Sequence, residues 1–376
     1  LDVTGVPGVS VDEPSAAQAH AVGQALARMH LDSADFPGTR ANAAGRAGWE
    51  AVRAGRAADA AKAFAEALQA EPRDPSLHLG AGLAAHLLGQ PTVARHALEQ
   101  ALTLSPNYTS ASLLLGEILY RGSDLEGAVR VYEQALTHAP GHDQLLKRLE
   151  TWRNEASLHS NFFQSQGAHF TVLFEGPADE EVARRALDLL ETAYWRVGTA
   201  LYTFPEQVIT VVLYTQEQFR DITRSPDWAA GVYDGRIRVP MRGALQKPEE
   251  LERVLAHEFT HALVRSIAPR GVPTWLNEGL AVVFEPEGRA WAQDQLSKTK
   301  TRLPADTLAG SFAGLSSAKA RVAYAQSAVA VDKLIELSGT AAVVALLQDL
   351  SHGEVFPAAF ERRILMPFDT FVTGLR

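Results

Sequence analysis

Cysteine is absent from the 376-residue chain. That excludes disulfides, thiolate metal sites and cysteine nucleophiles, and leaves any metal ion to histidine and carboxylate ligands. Long apolar runs are missing too. None approaches the roughly 18–20 residues that span a bilayer, so no membrane span is expected. Nor is there an excess of positive charge. Lys and Arg number 35 against 44 Asp and Glu, a formal charge of −9, which argues against a nucleic-acid surface because phosphate binding needs clustered cations. The first residue is Leu1, not Met. A trimmed chain is therefore expected, and a removed export signal would make it periplasmic or extracellular, with the cytoplasm as the alternative.

What remains is a soluble globular composition, 46% apolar and 21% charged, long enough for two or three domains. The first third is periodic. Pro72, Pro106 and Pro140 stand 34 residues apart, and each closes the same small-residue pattern. The three copies are Gly48, Ala60, Phe64, Ala67; Gly82, Ala94, Leu98, Ala101; and Gly116, Ala128, Tyr132, Ala135. Gly and Ala suit close approach of two antiparallel helices, a bulky residue fills the next groove, and proline ends the second helix. This pattern resembles the tetratricopeptide repeat. It predicts an α-solenoid over 41–155, with repeats at 41–74, 75–108 and 109–142. A capping helix follows, with Leu145, Leu146, Leu149 and Trp152 on one face. Such arrays present a concave face to a protein partner, or serve as spacers. Residues 1–40 form an extension with a helix expected over 15–30.

From 156 to 168 the composition turns to Ser, Asn, Gln and His, which reads as a linker. Over 169–376 the pattern predicts an α+β domain with a small sheet and a helical C-terminal half. "HFTVLFEG" and "QVITVVLY" read as strands around an amphipathic helix. "GVYDGRIRVPM" places an Asp-Gly pair between two β-like runs, the signal of a tight hairpin.

The helix that follows contains "HEFTH". His257 and His261, at i and i+4, project from one helical face and can share one ion, while Glu258 is offset around the axis and can reach a bound water. Catalytic zinc wants three protein ligands and an open position. Glu278 in "WLNEGLA" is the candidate third ligand, if the second helix folds back on the first.

"HEFTH" followed by "WLNEGLA" resembles the gluzincin metallopeptidases, in particular the peptidase MA-like family often found beside tetratricopeptide repeats. The resemblance covers about 165–365. It implies one zinc ion held by His257, His261 and Glu278, with Glu258 as general base. It further implies hydrolysis of a peptide or protein substrate by zinc-activated water. Tyr324, in "AYAQS", resembles the tyrosine that donates a hydrogen bond to the oxyanion in such enzymes, and is preferred for that role over His352. A tyrosine on the buried face of a helix is the alternative. Asn277 is read either as orienting a ligand or as capping its helix. Tyr233, Gly235 and Ile237 are candidate substrate contacts on an edge strand; a hairpin with Ile237 and Val239 in the core is the alternative. Two rival functions stand beside the peptidase. One is a scaffold with an idle peptidase-like domain. The other is an aminopeptidase, which would need an extra carboxylate near the edge strand, where Asp234 is the residue on offer.

Overall fold

The computed structural model describes residues 43–223, 230–241, 248–299 and 302–374, so the helix expected over 15–30 lies outside the described residues. The chain is mainly α, with an N-terminal helical-repeat array, one small sheet and a helical C-terminal half. It falls into two compact units divided between Ser157 and Leu158.

The first unit is a row of antiparallel helix pairs. They are α1 (Ala43–Arg53) with α2 (Ala57–Ala70), α3 (Pro75–Leu87) with α4 (Pro91–Leu104), and α5 (Thr109–Arg121) with α6 (Leu125–His138). Every bulky residue of the sequence period is buried: Phe64, Leu98 and Tyr132. The paired glycines are what let them in. A Cβ at Gly48 would lie 2.7 Å from the Phe64 ring, and one at Gly82 2.8 Å from Leu98. Aspartates start two of the helices by accepting orphan N–H groups, Asp74 from Ser76 and Asp124 from Gly127. Helix α7 (Asp143–His159) closes the row. Its Leu145, Leu149 and Trp152 are buried, with the Trp152 ring stacked 5.0 Å from Tyr120. Arg148 pairs with both oxygens of Glu117 and lies 5.3 Å from the Trp152 ring. Leu146, expected on the same buried face, is exposed; one residue on from Leu145, it is turned about 100° around the axis.

The second unit is built on a five-stranded sheet in the order β1-β2-β3-β5-β4. Its strands are β1 (Phe163–Gln166), β2 (Phe170–Phe174), β3 (Ile209–Tyr214), β4 (Val232–Tyr233) and β5 (Ile237–Pro240). β2, β3 and β5 run parallel, and the two outer strands are antiparallel to their neighbours. β1 lies inside the stretch read as a linker. It is an outer strand of one exposed phenylalanine and three polar residues, so it carries no hydrophobic alternation by which the sequence could announce it.

Alternate residues put Phe170, Val172, Val211, Leu213, Ile237 and Val239 on one face of the sheet. That face packs on α8 (Glu180–Ala200) and α10 (Pro248–Ile267). The opposite face carries Val212 and Tyr214 against Phe219 of α9 (Gln216–Thr223), together with the fully buried Arg238. Its guanidinium donates to Tyr214 Oη at 2.7 Å and to Asp234 Oδ2 at 2.9 Å.

Behind α10 the chain is helical: α11 (Thr274–Val283), α12 (Gly288–Lys298), α13 (Ala305–Ala309), α14 (Ser317–Ser351), α15 (Phe356–Ile364) and α16 (Phe368–Gly374). Helix α14 breaks at Gly339, which sits at φ +76°. Helix α11 lies so close to α14 that a Cβ on Gly279 would press into the Ser327 carbonyl and the Val331 methyl. Glycine at this position brings its neighbour Glu278 inward. Among the described residues no helix is long and apolar enough to cross a membrane.

Candidate metal centre

Two helices and the turn after the second supply the site. Helix α10 is anchored by buried Leu255, Phe259 and Leu263, and the helical period places His257 and His261 together one turn apart. Helix α11 enters through Pro273, whose extended backbone precedes the first turn, and is anchored by buried Trp275 and Leu276. Glu278 follows on the face turned toward α10.

Three donor atoms converge. His257 Nε2 lies 3.1 Å from His261 Nε2, and Glu278 Oε2 lies 3.4 Å from the first and 3.3 Å from the second. Ligands ~2.0–2.1 Å from a tetrahedral ion stand about 3.3 Å apart, so the triangle has the size that zinc needs. Glu278 Oε2 is buried without a hydrogen-bond partner, a costly state for a carboxylate oxygen unless a cation completes it. The donor set therefore fits a divalent metal ion.

The electrostatics agree. Burial alone would lower His257, but the Glu278 carboxylate 3.4 Å away and the hydrogen bond to Glu285 overturn it and hold the imidazole up at about 10. His261 is likewise raised against its own burial, chiefly by the charge of Glu278. Burial would raise Glu278, yet His261 and His257 bring it down to about 2. The carboxylate is thus held charged, and the proton on His257 balances it where a cation would.

Glu258 is buried on α10, against the start of β4. A Cβ added to Gly231 would lie 2.7 Å from its Oε1. Tyr324, on α14, is half-buried with its ring centroid 6.0 Å from that of His257 and an edge contact to Phe312. It stands beside the cluster. His352 does not: it is exposed at the C-terminal end of α14, its Nδ1 2.7 Å from the Gln348 carbonyl. Asn277 is half-buried in the first turn of α11, and its backbone N–H bonds the Pro273 carbonyl.

The hairpin divides the three candidate substrate contacts. Tyr233 lies on β4, the outer strand, with the Arg265 guanidinium 5.9 Å from its ring. Gly235 is the turn residue, at φ +114°, a conformation that suits glycine. Ile237 is fully buried on β5, between β3 and β4, so it is a core residue and not an edge contact. Asp234 is taken up by the turn as well: it accepts from the Arg236 backbone N–H and from buried Arg238.

One participant was not anticipated from the sequence. Glu285, buried in the turn after α11, places Oε1 2.6 Å from His257 Nδ1 and also pairs with Arg253. Its turn is fixed from a distant helix, where Arg196 of α8 donates to the Phe284 carbonyl at 2.8 Å. Spacing offered no signal, since α11 ends at Val283 and the helical period does not extend to Glu285.

Comparison with known proteins agrees with this layout. Residues 197–372 match the Peptidase MA superfamily, and residues 46–92 and 87–143 match the tetratricopeptide repeat. Two curated proteins share shorter stretches. A homoserine kinase of Hyphomonas neptunium is 46% identical over 69 residues, which is 18% of this chain and 21% of that protein. A homoserine kinase of Xanthobacter autotrophicus is 43% identical over 72 residues, 18% and 22% of the two chains. The chain thus spans about a fifth of the length of these curated relatives. Taken with the repeat helices and the sheet-and-helix unit that follows them in the sequence, the family matches support a peptidase MA-like domain with N-terminal tetratricopeptide repeats.

Proposed function

We propose that the chain is a zinc-dependent peptidase. The observation that carries this reading is the triangle of His257 Nε2, His261 Nε2 and Glu278 Oε2, with edges of 3.1, 3.4 and 3.3 Å. When bound there, zinc would supply Lewis acidity, lowering the pKa of water toward ~7 and polarising a scissile carbonyl. The protein's own groups do the rest. Glu258 takes the proton from the attacking water at its carboxylate and delivers it to the departing amine. Tyr324 donates a hydrogen bond to the developing oxyanion. Glu285 receives the His257 Nδ1–H, which fixes the tautomer and leaves Nε2 as the ligand atom. An extended substrate adds to the outer edge at β4, beside Tyr233.

Asp234 is engaged with Arg238 and the Arg236 N–H. That favours cleavage within a chain over capture of a free amino terminus. The repeats bring a protein substrate or partner to the enzyme. The likeness to two homoserine kinases spans about a fifth of those proteins and does not enter this reading.

Zinc content and cleavage of a peptide library test the proposal together. The purified protein is expected to carry about one zinc ion and to cleave. Glu258→Gln is expected to keep the ion and lose at least about 100-fold in kcat. Cleavage by Glu258→Gln at the wild-type rate, or a wild-type protein that holds zinc and cleaves nothing, would leave a repeat scaffold with an idle domain as the better reading.

A further inference from the structure

We infer that Gly231 is a positioning residue for Glu258: the missing side chain at 231 is what allows the carboxylate to sit where it does. This rests on the peptidase reading of the site.

The reason for a glycine here is spatial. Gly231 is not among the residues at positive φ, so its backbone is one that an L-residue adopts at ordinary cost. Space is another matter. A Cβ at 231 would stand 2.7 Å from Glu258 Oε1, 2.8 Å from Cγ and 3.0 Å from Cδ. The carboxylate half of Glu258 therefore lies flat against this backbone, at the entrance to β4. Relief from any added methyl must come from one of two movements. Either the hairpin strand backs away from α10, or the Glu258 side chain swings aside.

The second movement is the easier one. β4 is hydrogen-bonded into the sheet through β5, whereas the atoms in the way, Oε1, Cγ and Cδ, belong to one side chain that can turn about its own bonds. A methyl group at 231 is thus expected to leave the fold in place and to move the Glu258 carboxylate. Displacement of a catalytic group by about 1 Å can cost on the order of 100-fold in rate. Glu258 is not one of the three converging donors, and a shift of this size leaves its charge beside them, so metal affinity is expected to change little.

The test is a double-mutant cycle between Gly231→Ala and Glu258→Asp. In the wild-type background Gly231→Ala is expected to lower kcat by about 10- to 100-fold. KM and zinc affinity should stay within about twofold. The aspartate carboxylate is withdrawn by one methylene, so in the Glu258→Asp background the same alanine has room. There it is expected to cost less than about threefold. A readout independent of turnover accompanies the cycle: in a crystal structure of metal-free Gly231→Ala, the Glu258 carboxylate should be displaced while β4 keeps its pairing with β5.

An alanine variant with full kcat and an unmoved carboxylate overturns the inference. So does one whose only change is a raised KM, because Gly231 would then be a substrate contact. If Gly231→Ala fails to fold, restored folding on adding Glu258→Asp supports the inference, and continued failure overturns it. Glu258→Gln assayed alongside keeps the two ideas apart. Loss of the peptidase reading would leave the crystallographic displacement as a test of the packing claim alone.

Discussion

His257 Nδ1 lies 2.6 Å from Glu285 Oε1, while the other nitrogen of the same ring lies 3.1 Å from His261 Nε2. The imidazole is therefore held from both ends, one nitrogen facing a carboxylate and the other facing the candidate ion. A carboxylate in this position fixes the ring's orientation and raises its basicity as a ligand. Glu285→Ala is expected to weaken zinc binding by about 10- to 100-fold, read by competition with a chromophoric chelator. Equal affinities for variant and wild type would mean that packing alone orients the ring.

Metal binding should depend on pH with a definite sign. The metal-free protein holds His257 up at about 10, and zinc needs that imidazole without its proton at the ligand nitrogen. Below about 10 each bound ion must expel a proton, so affinity is expected to tighten by about tenfold per pH unit between pH 7 and 9. Stability of the metal-free fold runs the other way. A raised histidine contributes its full stabilisation below the ordinary value near 6.5 and loses it as pH climbs toward 10. Chelator titrations at pH 7, 8 and 9 measure the first trend, and a flat profile would show that zinc binds without displacing that proton.

What the sequence made readable follows from how local each feature is. His257, Glu258 and His261 sit on one helix, and the helical period alone settles their geometry. Glu278 needed more, because its approach depends on the turn between α10 and α11 and on a glycine that lets α11 close on α14. The resemblance to a known family supplied that step. Glu285 stayed hidden because its position depends on a turn clamped by Arg196, some 88 residues earlier in the chain. The hairpin shows the same limit. The Asp-Gly pair announced the turn, but which of the two strands lies outermost depends on β5 pairing with β3, a contact between distant segments. Tyr233 and Ile237 looked alike in sequence and differ entirely in setting.

That difference is measurable. Ile237 is fully enclosed between sheet and helices, so Ile237→Ala is expected to destabilise the C-terminal unit by about 2–4 kcal/mol. Tyr233 stands half-buried on the outer strand. Tyr233→Ala is expected to cost less than about 1.5 kcal/mol of stability and to raise KM several-fold, through lost contact with an extended substrate. Urea unfolding and steady-state kinetics on both variants separate the roles. A change confined to KM in the isoleucine variant would return that residue to the substrate site.

Leu365 offers a gain in stability at a distance from the chemistry. It caps α15 in the left-handed region, at φ +58°, with its N–H bonded to the Glu361 carbonyl at 2.9 Å, and it is 89% exposed. An L-residue in that conformation costs roughly 1–2 kcal/mol, which glycine avoids. Against this, glycine loses about 0.5–1 kcal/mol by freeing the unfolded chain. No buried apolar surface is given up, because the leucine side chain is in water. Leu365→Gly is thus expected to stabilise the C-terminal unit by about 0.5–1 kcal/mol, seen as a higher urea midpoint at unchanged m-value. Leu365→Ala keeps the strained backbone and should show no such gain. A glycine variant less stable than the alanine variant would mean that the entropy of the unfolded chain outweighs relief of the left-handed cap.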